Sequence, residues 1–218
     1  MHPTAVIFDF DGTIADTEWP VYEAARIAHE EHGLTLPIEQ WVRIVGSADN
    51  LPLEERLRLE LGRDPDEGAM ARARERHAEA REGVPVLPGV LEVITAVRAA
   101  GRGLSIASSS PSDWVEGHLA RLDLGGHFDA LSTRDQVERG KPAPDLFLLA
   151  AAKLECEPAD VLVIEDSRNG TLGAKEAGMT CVVVPNRITR HDIPTEADLV
   201  LDSLLDFPYA DFGLVEPV

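Results

Sequence analysis

Asp9 and Asp11 follow the apolar run Ala5–Phe8 with one phenylalanine between them, and Gly12 and Thr13 come next. Two residues apart on an extended chain, the two carboxylates point to the same side. Such a pair can divide labour, one acid attacking an electrophile while the other moves a proton. Other reactive residues follow other apolar runs. Ser108, Ser109 and Ser110 follow Gly103–Ala107; Gly140, Lys141 and Pro142 come after Phe128–Ser132; Glu165 and Asp166 follow Val161–Ile164. Each feature alone has an ordinary explanation as a turn, a helix cap, a loop lysine or a helix start. Four of them at successive run ends favour one shared chemistry.

If those ends lie side by side, one cleft holds four carboxylates, a hydroxyl cluster and a lysine. Clustered acids stay ionised only if a cation joins them. Oxygen ligands with no nearby histidine favour a hard ion such as Mg²⁺ over Zn²⁺. A lysine and hydroxyl donors beside that ion suit a compact anion, most naturally phosphate. An aspartate facing it can form an aspartyl-phosphate.

The positioning elements read as an α/β sheet. The apolar runs are continuous, as in strands buried on both faces of a parallel sheet, and Cys181–Val184 and Leu199–Leu201 add to them. Ligands of such sheets bind beyond the carboxyl ends of the strands. VLEVITAVRAAG, APDLFLLAAAKL and SRNGTLGAKEAG read as helices between strands, with Pro144 in a first turn, Ser167 as an N-cap, and Gly101 and Gly178 as stops. Strand–helix alternation predicts right-handed crossovers. From Thr17 to Gly83 only helical patterns occur, at Glu23–His32, Leu53–Leu61 and Asp66–Glu82. The expected organisation is an α/β parallel sheet core formed by residues 1–16 and 84–218, with a small all-helical domain inserted at 17–83 on two linkers.

The chain has 218 residues, 44% of them hydrophobic, and a formal net charge of -19. So acidic a chain repels nucleic-acid backbones. No apolar run approaches the roughly 20 residues of a membrane span, and the first residues do not read as a secretory signal. Two lone cysteines, Cys156 and Cys181, suit a reducing compartment. These features lead us to expect a cytoplasmic enzyme with a small-molecule partner, no nucleic-acid or membrane partner, and a monomeric state.

With the motifs in hand, the chain resembles the haloacid dehalogenase superfamily, in the subfamily with a helical cap after the first strand. The likeness rests on DFDGT at Asp9–Thr13, IASSS at Ile106–Ser110, KPAPDLF at Lys141–Phe147 and IEDSRNG at Ile164–Gly170. The resemblance implies a Rossmann-like parallel sheet core domain with the all-helical insert as a cap, Asp9 as nucleophile and Asp11 as general acid/base. It implies Mg²⁺ held by Asp9, the Asp11 backbone carbonyl and Asp166, with Glu165 a ligand or its neighbour. Ser108, the Ser109 amide and Lys141 would hold phosphoryl oxygens.

Within the subfamily the chain is most similar to sugar phosphatases and β-phosphoglucomutases. The mutases carry a histidine four residues after the threonine of Asp16-Thr17, where this chain has Val21. They also carry an arginine shortly after a glycine resembling Gly46, where it has Ser47, Ala48 and Asp49. Both departures favour hydrolysis of a small phosphomonoester, a sugar or polyol phosphate, over a mutase. A dehalogenase would lack Asp11, and a non-catalytic binding protein would have no need of the intact set. Gly46 and Asp49 are candidate cap contacts to substrate, Asp49 being equally a cap for the helix that begins at Leu53. Trp19, Tyr22, Trp41 and Trp114 are either sugar platforms or packing.

Overall fold

The computed structural model describes residues 2–47 and 51–217. Six parallel strands run in the order β3-β2-β1-β4-β5-β6. They are β1 (Ala5–Phe8), β2 (Gly103–Ala107), β3 (Ala130–Ser132), β4 (Val161–Glu165), β5 (Thr180–Val183) and β6 (Leu199–Val200). Central β1 is fully buried along its length, as its continuous apolar run requires. Phe8 pairs with Ile106 on one side and Ile164 on the other, so three strands end level with one another.

Alternation along each strand divides the core into two layers. Val6, Phe8, Leu104, Ile106, Leu162 and Ile164 pack with α5 (Val90–Ala99) and α6 (Ser112–Arg121). Ala5, Ile7, Val161 and Val163 pack with α7 (Asp145–Lys153) and α8 (Arg168–Glu176). On α7, Leu146, Phe147 and Ala150 form the inward stripe.

Between β1 and α5 come α1 (Glu18–Glu31), α2 (Ile38–Trp41), α3 (Leu53–Leu61) and α4 (Glu67–Glu82), with no strand among the described residues. They share two apolar clusters. One holds Tyr22, Ala25, Trp41 and Val45 with Ile188 from beyond β5; the other holds Ala28, Leu57, Met70 and Ala73. The two chain crossings to this segment run side by side, because Ala15 forms an antiparallel bridge with Val86 and the Leu87 amide donates to the Ile14 carbonyl at 2.8 Å.

Several expectations shift. Helix α1 starts at Glu18, not Glu23. Pro20 falls in its first turn, where backbone N–H groups lack intrahelical partners anyway. Strand β3 begins at Ala130, two residues later than expected, because a 3₁₀ turn at Gly125–His127 leads into it. Helix α6 was not anticipated; Gly117 in its middle weakens its propensity, while Val115 and Leu119, four apart, are buried. No helix among the described residues is long and apolar enough to cross a membrane.

Phe147 is fully buried between α7 and the sheet. Phe147→Ala is expected to lower unfolding free energy by about 3–5 kcal/mol; urea denaturation reads this directly.

Candidate active site

The Asp9 amide donates to the Ile164 carbonyl at 2.9 Å, so the first acid still belongs to the sheet ladder. The chain then turns through Gly12, whose φ is +85°. A Cβ there would lie 2.5 Å from Asn186 Nδ2 and 2.7 Å from Asp166 Oδ2, which is why glycine is required.

Lys141 arrives from the loop before α7. Its buried Nζ lies 2.5 Å from Asp9 Oδ1 and 2.6 Å from Glu165 Oε1, and 5.0 Å from the centre of the Phe147 ring. The other oxygen of Glu165, Oε2, accepts from the amides of Asp166 and Ser167 and from Ser167 Oγ, each at 2.9 Å. Both Glu165 oxygens therefore already have donors. Gly170 makes that placement possible, since a Cβ at 170 would fall 1.6 Å from Glu165 Oε1. Ser167 caps α8, its Oγ accepting from the Gly170 amide at 3.1 Å.

Asp9, Glu165 and Asp166 form a buried cluster whose ligand oxygens lie within 4.8 Å of one another. Asp166 Oδ2 accepts from Asn186 Nδ2 at 2.7 Å. Asp9 Oδ2 is buried with no hydrogen-bond partner. That orphaned oxygen, beside carboxylates that outnumber the one ammonium, fits a hard cation. The protonation balance agrees. Burial raises the Asp9 carboxyl to about 7; Lys141 opposes the rise, and Glu165 and Asp11 add to it. Burial first, then Glu165 and Asp9, lift Asp166 well above the carboxylate range. A cation beside such groups restores their charged forms.

Asp11 faces another way. Oδ1 accepts from Thr17 Oγ1 at 2.7 Å and Trp114 Nε1 at 2.8 Å. Oδ2 accepts from Ser110 Oγ at 2.6 Å and Ser108 Oγ at 3.2 Å. The Ser109 hydroxyl reaches away, donating to the Gly46 carbonyl at 2.8 Å. Gly46, with φ +71°, sits so close to the sheet domain that a Cβ would meet Ser167 Oγ at 2.4 Å. Asn169 Nδ2 donates to the neighbouring Val45 carbonyl at 2.8 Å. Asp49 lies outside the described residues.

Asp9, Asp11, Glu18, Trp41, Gly46 and Trp114 are among the walls of a cleft of ≈ 270 Å³. Burial, then Asp11 and Asp9, push the Glu18 carboxyl up to about 8. Of the four aromatics singled out, Trp41 and Trp114 reach this cleft. Tyr22 packs between Trp19 and Trp41, and the Arg187 guanidinium covers Trp19 at 3.9 Å. Sequence reasoning named Ser110 within its run but gave it no role of its own, and missed Thr17, Asn186 and Glu18. Asn186 stands alone after β5 and carried no signal.

A family model described as haloacid dehalogenase-like hydrolase matches residues 6–184. The YhcW protein of Bacillus subtilis (strain 168) is 40% identical over 211 residues, covering 93% of this chain and 96% of that one. A phosphorylated carbohydrates phosphatase of Thermotoga maritima is 36% identical over 179 residues, 80% of this chain and 82% of its own. The crystal structure of CbbY from Rhodobacter sphaeroides in complex with phosphate superposes with a TM-score of 0.74 at 27% identity, covering 94% of this chain and 96% of that one.

Two outcomes follow from these charges. Lys141→Ala leaves buried carboxylates uncompensated and is expected to cost about 3–5 kcal/mol in chemical denaturation. Glu18 holds its proton more tightly folded than unfolded, so its contribution to stability falls as pH rises from its ordinary 4.5 toward about 8. Glu18→Gln removes that contribution. Thermal melts in chelator should show the variant gaining more over wild type at about pH 8 than at about pH 5.

Proposed function

We infer the reaction from one premise: the chain belongs to the haloacid dehalogenase-like hydrolases. It is a phosphoric monoester hydrolase, and the substrate class we assign is a small phosphorylated sugar or polyol. The likeness to a phosphorylated carbohydrates phosphatase supports that class.

In our reading, residues 17–83 act as a cap over the cleft. Ser108, the Ser109 amide and Lys141 hold the phosphoryl oxygens. The Asp9 carboxylate attacks phosphorus, an Asp9 O–P bond forming as the ester P–O bond breaks. Asp11 gives its proton to the departing alkoxide oxygen, then takes one from the water that attacks the aspartyl-phosphate. The Asp9 O–P bond breaks in that second step, releasing phosphate and restoring the carboxylate. Asp9, Asp166 and the Asp11 backbone carbonyl would hold Mg²⁺, whose charge, when bound, offsets that of the carboxylates and the phosphoryl group. Glu165 serves instead to anchor Lys141 and the amides at the start of α8.

The observation that carries this reading is Asp9, tied to Lys141 through one oxygen with the other left unpartnered. Thr17, Ser108, Ser110 and Trp114 hold Asp11 in place, and a serine hydroxyl turns to accept when Asp11 carries the proton. The apolar Val21 side chain in the cleft wall supports hydrolysis over phosphate shuttling. One chain supplies every group named, which supports action as a monomer. Free Cys156 and Cys181 support a reducing, cytoplasmic setting.

Asp9→Asn is expected to cut phosphate release at least about a thousandfold while circular dichroism stays that of the wild type. Chelator should stop wild-type release, and added Mg²⁺ should restore it. Turnover by Asp9→Asn near the wild-type rate would sink the nucleophile assignment.

A further inference from the structure

A second cavity of ≈ 440 Å³ opens inside the helical segment, larger than the ≈ 270 Å³ reaction cleft. Its walls include Val21, Ala24, Ala25, Trp41, Met70 and Ala73. It is open to solvent on one side, and the small side chains Ala24 and Ala25 of α1 and Ala73 of α4 form part of its floor. The charged residues Glu54 and Arg74 are exposed at its mouth.

This cavity adjoins the reaction cleft in two ways. Val21 and Trp41 line both. His77, which lines the cavity, stacks on Trp114 at 5.9 Å, and Trp114 lines the cleft and donates to Asp11. The leaving oxygen takes its proton from Asp11, so the far end of the leaving alcohol emerges beside this wall.

We propose that the ≈ 440 Å³ cavity is a leaving-group subsite, and that the preferred substrate is a phosphorylated sugar or polyol carrying an apolar alkyl or aryl substituent that fills it. The proposal rests on the phosphatase reading above and extends it. Size and lining match those of ligand pockets, which are mostly apolar and about 300–1,000 Å³. Because the substituent is bound before and during reaction alike, the gain is expected in KM more than in kcat.

The test compares a hexose 6-phosphate with its methyl, butyl and hexyl glycosides, using p-nitrophenyl phosphate as a check on basic activity. kcat/KM should climb about fourfold per buried methylene until the cavity fills. Ala24→Leu and Ala73→Leu, each filling the space, should erase most of that climb. If the parent hexose phosphate is hydrolysed and the series is flat, the subsite is overturned while the phosphatase reading stands. A climb that persists in both leucine variants also overturns it. No release from any ester, p-nitrophenyl phosphate included, overturns the phosphatase reading itself. Should only p-nitrophenyl phosphate be turned over, or should both variants fail to fold, wild-type inhibition decides. Alkyl glycosides without phosphate should then inhibit competitively, more tightly with chain length, and inhibition independent of length refutes the subsite.

Discussion

The Lys141 ammonium, buried between Asp9 and Glu165, is the constraint around which the sheet edge is arranged. A charge taken that far from water is tolerated only when its partners are close and their remaining lone pairs are satisfied. Each neighbouring sequence feature meets part of that demand. Strands β1 and β4 end level, which brings the two acids within reach of one ammonium. The Asp166 and Ser167 amides satisfy the far oxygen of Glu165. Gly170 yields the space that Glu165 occupies, and the Phe147 ring faces the ammonium. The group left incompletely satisfied is Asp9 Oδ2, on the residue assigned to attack. Groups fixed before substrate arrives need no reorganisation during reaction, the main source of electrostatic catalysis.

The helical segment is fitted to the same edge. Ser109 and Asn169 reach across to the carbonyls of Gly46 and Val45, and Gly46 rests on Ser167. Thr17, at the start of the crossing, donates to Asp11. Its hydroxyl thus ties the first residue of the crossing directly to Asp11.

Much of this was legible in the chain. Unbroken apolar runs mark strands buried on both faces, so all six appeared, with errors only at their ends. Asp9, Asp11, Ser108 and Asp166 follow strand ends and Lys141 lies in the loop before α7, so these candidate residues were legible along with the strands. What stayed hidden depends on side-chain direction. Nothing in the letters says that the Ser109 hydroxyl turns to Gly46 rather than inward, or that both oxygens of Glu165 are taken. Helix α6 was obscured by Gly117, and with it the hydrogen bond from Trp114. Asn186 reaches Asp166 only through the tertiary fold. The second cavity depends on how the helices are placed relative to one another, which no single residue in its walls declares.

The bridge between Ala15 and Val86 has a mechanical consequence. Two separate strings would let the attached body slide, tilt and twist. Two strings zipped together at one rung act as a ribbon, which bends far more easily than it shears. Bending about that rung is therefore the softest displacement open to the helical segment.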